Sequence, residues 1–535
     1  MSSSFINTFV VILLTYSNLD AVLAKISNEN VLNSKVDRII DISNQLVKIK
    51  TQINVLNKNP EPLTEYLIEF GDSRHDRSLS YLQTSRIDAS TKKKIPLKHT
   101  RSLTRSDSDA GNIYKIDLSD SPVQDSAGTI QLEIEAVFTH LLDPFPTEIV
   151  QADRQLVVYL DKVYFPTPYL TEIQTTEVRL PLNSGLESYT KIRPVVHNDR
   201  IIKYGPYEKI SASQQSEQMR MHFENNSPFL TVQNLERSIQ ISHWAGAISI
   251  EETLDVFHSG AKLKGPFSRY EYQREPTNNG ISSIRSWKTR LPAGAFDIYY
   301  RDDIGNISTS NVRSSSSAVY VDIKPRFPLF GGWKTRYILG YTLPSKNNLF
   351  AMDSNILTDA WYTLKIPFID HIFDNMVIDQ ATIKVILPEG SSNFKIRKPY
   401  EIEEKPNELF YSYLDTVGRP VLVLTKNNLV EWHMQTIEIK YQFKPFYLLQ
   451  EPLLIVGSIF GLCLLVMALI RTKISLNDSF RLSSSYKTLS NFFASKIQKF
   501  CRSFGGFFSS IENILKRKFA FSQYRYGFGC FGVFI

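Results

Sequence analysis

Short runs in which hydrophobic and polar residues alternate dominate the chain from about residue 128 to residue 430. In the clearest run, Ile130, Leu132 and Ile134 alternate with Gln131 and Glu133. A period of two predicts a strand with one buried face. Six further runs have the same character and are separated by turn residues: 155–160, 238–250, 318–323, 335–343, 381–388 and 419–425.

The spacing of these runs is typical of antiparallel sandwiches. It predicts a mainly β region made of two β-sandwich-like domains, residues 25–245 and 246–449. Two segments depart from the pattern. Residues 30–58 show helical or mixed periodicity, and residues 72–126 are polar with few apolar anchors, which predicts an exposed insertion in the first domain.

The long apolar run of the chain is 453–470, which contains eighteen uncharged and mostly apolar residues. A helix of this length spans about 27 Å, close to the thickness of an endoplasmic reticulum bilayer. Pro452 precedes the run and Arg471 follows it, as expected for the ends of a transmembrane helix. Gly457 and Gly461 form a small-xxx-small face, and we predict that a partner helix packs there.

The two ends of the chain predict its orientation. Residues 1–24 have an apolar run and end in Val22-Leu23-Ala24 before Lys25, which resembles a signal peptide with its cleavage site. Residues 471–535 contain eleven Lys and Arg against two acidic residues, a net charge of +9, whereas residues 1–470 sum to −2. Under the positive-inside rule the tail is cytosolic and the large N-terminal part lumenal, giving a single-pass type I protein with a short basic tail.

The positions of the cysteines limit the kinds of protein domain that the predicted lumenal part can contain. The chain has three, Cys463 in the apolar run and Cys501 and Cys530 in the tail. The predicted lumenal part therefore has no disulfide and must be stabilised by burial of its core. This argues against a disulfide-stapled receptor ectodomain, and it excludes a cysteine nucleophile or a cysteine-based zinc site there.

Motifs of catalysis and cofactor binding are weak. HExxH, GxxxxGK[ST] and GxSxG are absent, and the histidines lack metal-ligand spacing, with His243 interpreted as structural. Asp107 and Asp109 form a DxD pair in a polar loop without the context of a nucleotide-binding fold. The glycines of 527–532 match GxGxxG, but no helix can follow them. We therefore predict no catalytic, cofactor-binding or metal-binding residue.

Two sequons lie in the predicted lumenal part, at Asn225 and Asn306. Asn306 lies in a polar loop and is the better candidate for glycosylation, because Pro228 restrains the backbone after the Asn225 sequon. A third sequon, at Asn477, is cytosolic in the predicted topology and should stay unmodified.

Several aromatic-rich and glycine-rich segments, collinear from about residue 128 to residue 470, closely resemble the ribophorin I family of oligosaccharyltransferase subunits. They are ENNSPFL (224–230), ISHWAGAI (241–248), KGPFSRYEYQR (264–274), GISSIRSWKT (280–289), YYRDDIGNISTS (299–310), PRFPLFGGWKTRYILGYTLP (325–344), YLDTVGRPV (413–421) and QEPLL (450–454).

The resemblance implies a non-catalytic subunit of the endoplasmic reticulum complex that transfers a dolichol-linked oligosaccharide to Asn in N-x-[ST]. It implies two β-rich lumenal domains and one transmembrane helix. It also implies as partners the other subunits, including a polytopic catalytic chain, with nascent polypeptide and the translocon as further candidates and no nucleic acid. Two alternatives stay open: a single-span lumenal glycosyltransferase that uses Asp107 and Asp109 as metal ligands, and a membrane receptor with sandwich domains.

Two features are not decided by the resemblance. The Phe-rich tail differs from the longer, helical cytosolic region of animal members of the family, so contact with ribosomes is not implied for this chain. The segment from Phe327 to Lys334 fits either a glycine turn that packs Trp333 against neighbouring strands, or an exposed aromatic contact for partners.

Overall fold

The computed structural model describes residues 31–58, 61–70, 73–88, 91–102, 113–119, 128–182, 184–211, 217–274, 282–307, 311–352 and 360–471. The predicted signal peptide, the Asp107–Asp109 pair and the tail beyond Arg471 lie outside these residues. The chain divides into two compact units, Met1–Pro445 and Phe446–Ile535. The described part of the first unit consists mostly of strands, which confirms the predicted mainly β class.

The strands up to residue 224 form what we call the first half of the β-rich unit. They are β1 (Val31–Asp41), β2 (Val47–Asn57), β3 (Glu65–Glu69), β4 (Leu79–Ile87), β5 (Lys94–Leu97), β6 (His99–Ser102), β7 (Ile113–Asp117), β8 (Gly128–Phe138), β9 (Leu142–Pro144), β10 (Glu148–Ile149), β11 (Leu156–Lys162), β12 (Leu170–Arg179), β13 (Leu186–Tyr189), β14 (Val195–Asn198), β15 (Ile201–Ile210) and β16 (Gln218–Glu224). One short helix, α1 (Ser73–Ser78), precedes β4.

The strands from residue 230 to residue 443 form the second half. They are β17 (Leu230–Ser242), β18 (Ala247–His258), β19 (Lys262–Leu263), β20 (Trp287–Pro292), β21 (Phe296–Asp302), β22 (Asn311–Ser314), β23 (Ala318–Ile323), β24 (Lys334–Pro344), β25 (Leu349–Met352), β26 (Ala360–Pro367), β27 (Val377–Ile386), β28 (Ser392–Arg397), β29 (Glu403–Phe410), β30 (Arg419–Leu429) and β31 (Thr436–Phe443). A short helix, α2 (Arg269–Arg274), follows β19.

Each half contains three sheets. The first half has an eight-stranded sheet in the order β14-β15-β12-β1-β2-β8-β4-β5, a four-stranded sheet β13-β16-β11-β9 and a three-stranded sheet β3-β7-β6. The second half has a seven-stranded sheet β21-β24-β18-β17-β27-β30-β29, a four-stranded sheet β25-β26-β31-β28 and a three-stranded sheet β20-β23-β22. Strands β10 and β19 pair in parallel and join the two halves.

The two halves repeat one strand order. Read from β4, the large sheet of the first half is β4-β8-β2-β1-β12-β15-β14, and that of the second half is β21-β24-β18-β17-β27-β30-β29. The smaller sheets correspond in the same way, β13-β16-β11-β9 to β28-β31-β26-β25 and β3-β7-β6 to β20-β23-β22. All these counterparts follow each other in the same order along the chain, so each half is one copy of the same architecture.

The strands form because β-branched and aromatic residues alternate with polar ones. In β2, Val47, Ile49, Thr51 and Ile53 are buried, while Lys48, Lys50 and Gln52 between them are partly exposed, which is the pattern of a strand on a sandwich core. One continuous core of the first half runs from Val31 to Phe229.

Three sequence predictions need comment. The helical or mixed reading of 30–58 is wrong, since this segment is the hairpin β1–β2. The predicted run 238–250 is two paired strands, β17 and β18, with a turn between them. The segment 72–126 contains α1 and strands β4 to β7, and β4 pairs with β8 in the large sheet, so its described residues are part of the fold.

The place where the chain passes from one half to the other differs from the division proposed at residues 245 and 246. That division falls in the turn between β17 and β18, which pair along their whole length. Strand pairing changes instead between Glu224 and Leu230. We propose that the two lumenal domains divide there.

The two halves are in close contact. The Gln45 side-chain amide donates to the carbonyl oxygens of Leu230 (2.9 Å) and Asn375 (2.6 Å). Tyr81 stacks on Trp432 with ring centroids 5.9 Å apart. A small apolar cluster lies beside this pair and contains Leu46, Val137, Val377 and Val430.

The long helix α3 (Gln450–Arg471) belongs to the second unit and contains the predicted span 453–470. By length and composition, Pro445–Leu469 is able to cross a membrane, and no part of its most apolar window is buried. This confirms the predicted helix.

Candidate functional site

Asn306, the preferred glycosylation candidate, is exposed in a turn. The backbones of Asn306 and Arg301 form an isolated antiparallel β-bridge. The Asp302 carboxylate accepts backbone N–H groups of Ile304 (3.1 Å) and Gly305 (3.0 Å) and pairs with Arg326. The hydrogen bond from Arg326 lowers the pKa of Asp302 to about 2, so this turn keeps its charge pair at neutral pH. The Asn306 side chain is accessible to a glycan, and its modification stays a prediction.

Asn225 has the opposite environment. Only 1% of the residue is exposed. Its Nδ2 donates to the Asn44 carbonyl oxygen (3.3 Å), and its Oδ1 accepts from the Ser227 hydroxyl (2.5 Å). A glycan on Nδ2 does not fit this folded state, because it would replace the contact with Asn44. We therefore propose Asn306 alone as the acceptor of the pair.

Gly457 and Gly461 lie on an open face of α3. A Cβ built at either glycine meets no atom within 4 Å outside its own helix turn. Backbones of two helices approach closely at such positions because no side chain separates them. Packing of a partner helix at this face stays a prediction.

The glycine turn of Phe327–Lys334 packs into the second half. Leu329 and Phe330 are buried, and the Phe330 and Trp333 rings are 5.4 Å apart. A Cβ on Gly331 would lie 1.8 Å from the Ala261 carbonyl oxygen, so only glycine fits this approach to the β19 segment. The turn-and-core interpretation of this segment is confirmed.

Phe267 joins the two rings and completes an aromatic cluster, with centroids 5.5 Å from Phe330 and 5.7 Å from Trp333. Phe267 belongs to KGPFSRYEYQR, so two segments that carried the family resemblance pack against each other. Of the turn's aromatic side chains, Phe327 is the exposed one.

His243 has the structural role predicted for it. Its ring stacks on Phe443 with centroids 4.8 Å apart, and its Nε2 lies 2.9 Å from the Tyr441 hydroxyl. Burial lowers the pKa of His243 to about 4. The imidazole is therefore neutral at physiological pH and packs as an aromatic ring.

A buried charge network crosses the core of the second half. Arg237 Nη1 lies 2.5 Å from Glu252 Oε1 and 2.9 Å from Asp370 Oδ2, and all three side chains are buried. The Tyr341 hydroxyl donates to Asp370. Burial raises the pKa of Glu252 to about 7. The positive charge of Arg237 lowers this pKa, whereas the negative charge of Asp370 raises it further.

A similar network in the first half joins its two larger sheets. Arg38 of β1 donates to Asp161 of β11 over 2.7 Å and to the Lys162 carbonyl oxygen over 2.8 Å. Tyr159 donates to the same carboxylate, and His75 Nε2 lies 3.5 Å from it. Burial disfavours the charge of Asp161, but Arg38 and the other partners outweigh it and hold its pKa below the usual value.

Among the described residues, one histidine and two carboxylates lie close enough together to share a metal ion. His371 Nε2 is 3.1 Å from Asp374 Oδ1 and 3.8 Å from Glu431 Oε1. The Glu431 oxygen already accepts the backbone N–H of Asn375 (2.7 Å), and the Asp374 side chain is 91% exposed. Structural zinc sites enclose the ion with four protein ligands, whereas this group offers three, of which Asp374 is almost fully exposed.

A cleft of about 400 Å³ lies between the two halves at the same place. Gln45 and Asn44 line it from one half, and Trp287, Asp374 and Asn375 from the other. The Gln45 amide in this cleft already donates to the carbonyl oxygens of Leu230 and Asn375. The cleft is therefore part of the contact between the two halves.

Sequence reasoning missed both arginine networks and the His371 group. His371 and Asp374 are three residues apart, but Glu431 comes from a different loop sixty residues later. A charged residue within an alternating strand, such as Arg237 in β17, is the one signal the sequence offers.

Comparison with known proteins assigns the family. The ribophorin I family model matches residues 31–470. The chain is 38% identical to dolichyl-diphosphooligosaccharide–protein glycosyltransferase subunit 1 of Caenorhabditis elegans over 429 residues, which are 80% of this chain and 70% of that protein. It is 37% identical over 464 residues to subunit 1A of Arabidopsis thaliana, covering 86% and 73% of the two chains.

A solved structure, native leukotriene A4 hydrolase from Saccharomyces cerevisiae, aligns with 39% of this chain and 31% of its own at 9% identity and a TM-score of 0.24. A likeness of that size carries no conclusion about fold or activity. The sequence matches cover most of the chain, including the whole β-rich unit described above and α3. The chain belongs to the ribophorin I family.

Proposed function

We propose that this chain is a non-catalytic subunit of an oligosaccharyltransferase complex of the endoplasmic reticulum membrane. In this role it supports the en bloc transfer of a dolichol-linked oligosaccharide to Asn in N-x-[ST]. The observation that carries the proposal is the family match over residues 31–470 together with relatives named as subunit 1 of that transferase.

The proposed topology is single-pass type I. The candidate membrane helix within Pro445–Leu469 leaves the β-rich unit on one side and the basic tail on the other. A net charge of +9 after the helix supports a cytosolic tail. The β-rich unit is then lumenal, where Asn306 is available for glycosylation.

Two features of the chain support a catalytic site on another subunit. A lipid-linked pyrophosphate donor requires a site within the membrane region, and this chain offers one candidate span among its described residues. The buried carboxylates that the fold brings together, Asp161, Glu252 and Asp370, are paired with arginines. They stabilise the fold, and a buried, paired carboxylate is poorly placed to act on an external substrate.

The partners follow from the same proposal. The other oligosaccharyltransferase subunits, including the polytopic catalytic chain, are the first of them, and Gly457 and Gly461 offer a face for one of their helices. Nascent polypeptide and the translocon are further candidates.

The decisive experiment is purification of the tagged full-length chain from microsomes in a mild detergent. We expect co-purification of the polytopic catalytic subunit, with transfer of glycan to an N-x-[ST] peptide by the complex and none by the isolated chain. Migration of the chain alone in the mild detergent would contradict the proposal. Transfer by the isolated chain that is lost in Asp107→Ala with Asp109→Ala would favour the glycosyltransferase alternative.

The three sequons report the orientation. We expect an endoglycosidase-sensitive mobility shift that Asn306→Gln abolishes and that Asn225→Gln and Asn477→Gln leave unchanged. A glycan on Asn477 would instead place the tail in the lumen and overturn the type I topology.

A further inference from the structure

The hairpin β29–β30 carries a loop that its counterpart in the first half lacks. In the first half, β14 and β15 are joined by the two-residue turn Asp199-Arg200. In the second half, Phe410 pairs with Arg419, so residues 411–418 form an eight-residue loop between corresponding strands. The shared architecture therefore does not need this loop, which we call the 411–418 loop.

Apolar side chains of the 411–418 loop point into solvent. Tyr413 is 94% exposed and Val417 is 71% exposed, and Tyr411 and Leu414 are also exposed. Exposed apolar groups are common one at a time, but several together on one protruding loop mark an interaction site.

The loop is held in one conformation. Glu389 Oε1 accepts backbone N–H groups of Thr416 (2.8 Å), Val417 (2.5 Å) and Gly418 (3.1 Å). The buried Asp415 carboxylate accepts the Ser412 N–H (2.7 Å) and pairs with Arg419 (3.1 Å). Side chains presented on a preorganised loop lose little conformational freedom when they bind.

Part of this conformation is strained. Leu414 has a φ of +68°, which a bulky side chain rarely adopts. Gly418 has a φ of +93°, and a Cβ there would come within 2.9 Å of the Tyr411 ring. Local strain that surrounding hydrogen bonds maintain is a feature of binding sites.

The strand beside the loop defines the chemistry of the occupant. Every residue of β29 is exposed. Its carboxylates are balanced by cations, since Glu404 pairs with Lys398 over 2.7 Å, Glu408 lies 3.8 Å from Lys384, and Lys405 is on the strand itself. An apolar, tyrosine-rich tip with a rim of balanced charges favours a protein surface with an apolar groove and a polar rim. It lacks the excess of Lys and Arg that would attract the anionic headgroups of a membrane surface.

We propose that the 411–418 loop docks into an apolar groove with a polar rim on the lumenal part of another oligosaccharyltransferase subunit. Tyr413 and Val417 fill the groove, and the charged side chains of β29 meet the rim. This proposal rests on the proposed membership of the complex.

The first test is site-specific photo-cross-linking in intact microsomes. A benzoylphenylalanine at position 413 of the full-length chain should give an adduct with an identified oligosaccharyltransferase subunit, located by mass spectrometry to its lumenal part. The matched control places the probe at Tyr270, which is 74% exposed elsewhere in the second half. An adduct with lipid only, no adduct, or the same adduct from position 270 would overturn the proposal.

The second test measures assembly. Tyr413→Ser with Val417→Ser should lower the fraction of the chain that stays with the complex in mild detergent about tenfold. Tyr270→Ser with Val312→Ser removes the same side-chain types from other exposed positions and should leave assembly unchanged. Equal assembly of both variants overturns the docking proposal alone, whereas failure of the wild-type chain to co-purify overturns the proposed function. Unchanged protease resistance of the β-rich unit establishes that the variants fold.

Discussion

Arg38 in the first half and Arg237 in the second occupy equivalent places. Each lies on the first strand of its half, five residues beyond the irregularity at Asn33 or Val232. Each pairs with an aspartate on or just after corresponding strands, Asp161 on β11 and Asp370 after β26.

The halves differ in the residue opposite the arginine on the neighbouring strand. Arg38 faces Thr51, whereas Arg237 faces Glu252. The second half therefore buries two carboxylates with one guanidinium. The pKa of Glu252 rises to about 7, first because burial disfavours its charge and further because Asp370 is a second negative charge nearby. One scaffold accepts both arrangements, but they differ in their dependence on pH and on the arginine.

Substitution of the two arginines should have the largest effect on stability, and the loss should differ between the two halves. Arg237→Met leaves two buried carboxylates without a counter-ion and should lower the free energy of unfolding by about 3–5 kcal/mol. Arg38→Met leaves one carboxylate with His75 and Tyr159 nearby and should cost less. Thermal unfolding of the purified full-length chains at pH 7.5 measures both. A larger loss for Arg38→Met would mean that the extra carboxylate does not govern the second network.

The joint between the halves should be almost as sensitive. Gly331→Ala forces a Cβ against the Ala261 carbonyl oxygen, next to the β19 strand that pairs with β10. We expect a loss of about 1–3 kcal/mol and faster proteolysis between residues 225 and 229. Gly185→Ala is the control for a glycine-to-alanine substitution, because its backbone is not left-handed and the nearest contact of the new Cβ would be the Glu224 side chain at 3.4 Å. Equal protease resistance of the wild-type chain and Gly331→Ala would show that this approach does not hold the joint.

Glu252→Gln tests whether Glu252 makes the stability of the second half depend on pH. The folded-state pKa of Glu252, about 7, exceeds its ordinary value of 4.5, so the stability it contributes is complete below about pH 4.5 and is lost as the pH rises through 7. The slope from this one group is at most about 1.4 kcal/mol per pH unit. Unfolding of the wild type and Glu252→Gln across pH 5–8 should show the decline in the wild type and a smaller one in the variant.

The reciprocal change, Thr51→Glu, places a second carboxylate opposite Arg38. It should give the first half a comparable decline of stability with rising pH. A variant that unfolds with the wild-type pH profile would indicate that the equivalence of the two networks ends at the arginine.

The smallest effect should come from the exposed pair that crosses between the halves. His140 Nε2 lies 2.8 Å from Asp379 Oδ1, and both side chains are nearly half exposed. His140→Ala should change the free energy of unfolding by less than about 1 kcal/mol. The buried contact beside it, in which Thr139 donates to Asn428 (2.8 Å), gives the control: Thr139→Val should cost more in the same unfolding assay.

Periodicity predicted much of the fold and little of the candidate sites. Strands in which buried and more exposed residues alternate, such as β23 and β27, were predicted. The apolar run of β30 was predicted as well, although residues 421–425 are buried on both faces. The β1–β2 hairpin was not predicted, because Ile39, Ile42, Leu46 and Ile49 recur at intervals of three and four residues across its turn and imitate a helix face. The structure corrects this through the register of the two strands.

The repeat of the two halves is also invisible in the sequence. It resides in strand order and register, while side chains at equivalent places differ, as Thr51 and Glu252 do. Most of the 411–418 loop belongs to the segment YLDTVGRPV, which resembles the family. Its exposure and the hydrogen bonds that its backbone donates to Glu389 depend on chain segments that meet only in the folded state.

The parallel pairs of the two large sheets have a consequence for biogenesis. Leu32 pairs with Leu170 and Thr231 with Val377. The first strand of each half, β1 or β17, is therefore synthesised long before its parallel partner, β12 or β27. When the ribosome has just completed β18, the strands of the first half have all been made, while β17 still lacks its second neighbour, β27. Contacts so distant in sequence form slowly. Newly made chain should therefore expose first the hairpin β1–β2 and later the hairpin β17–β18, which makes both hairpins targets for a chaperone during synthesis.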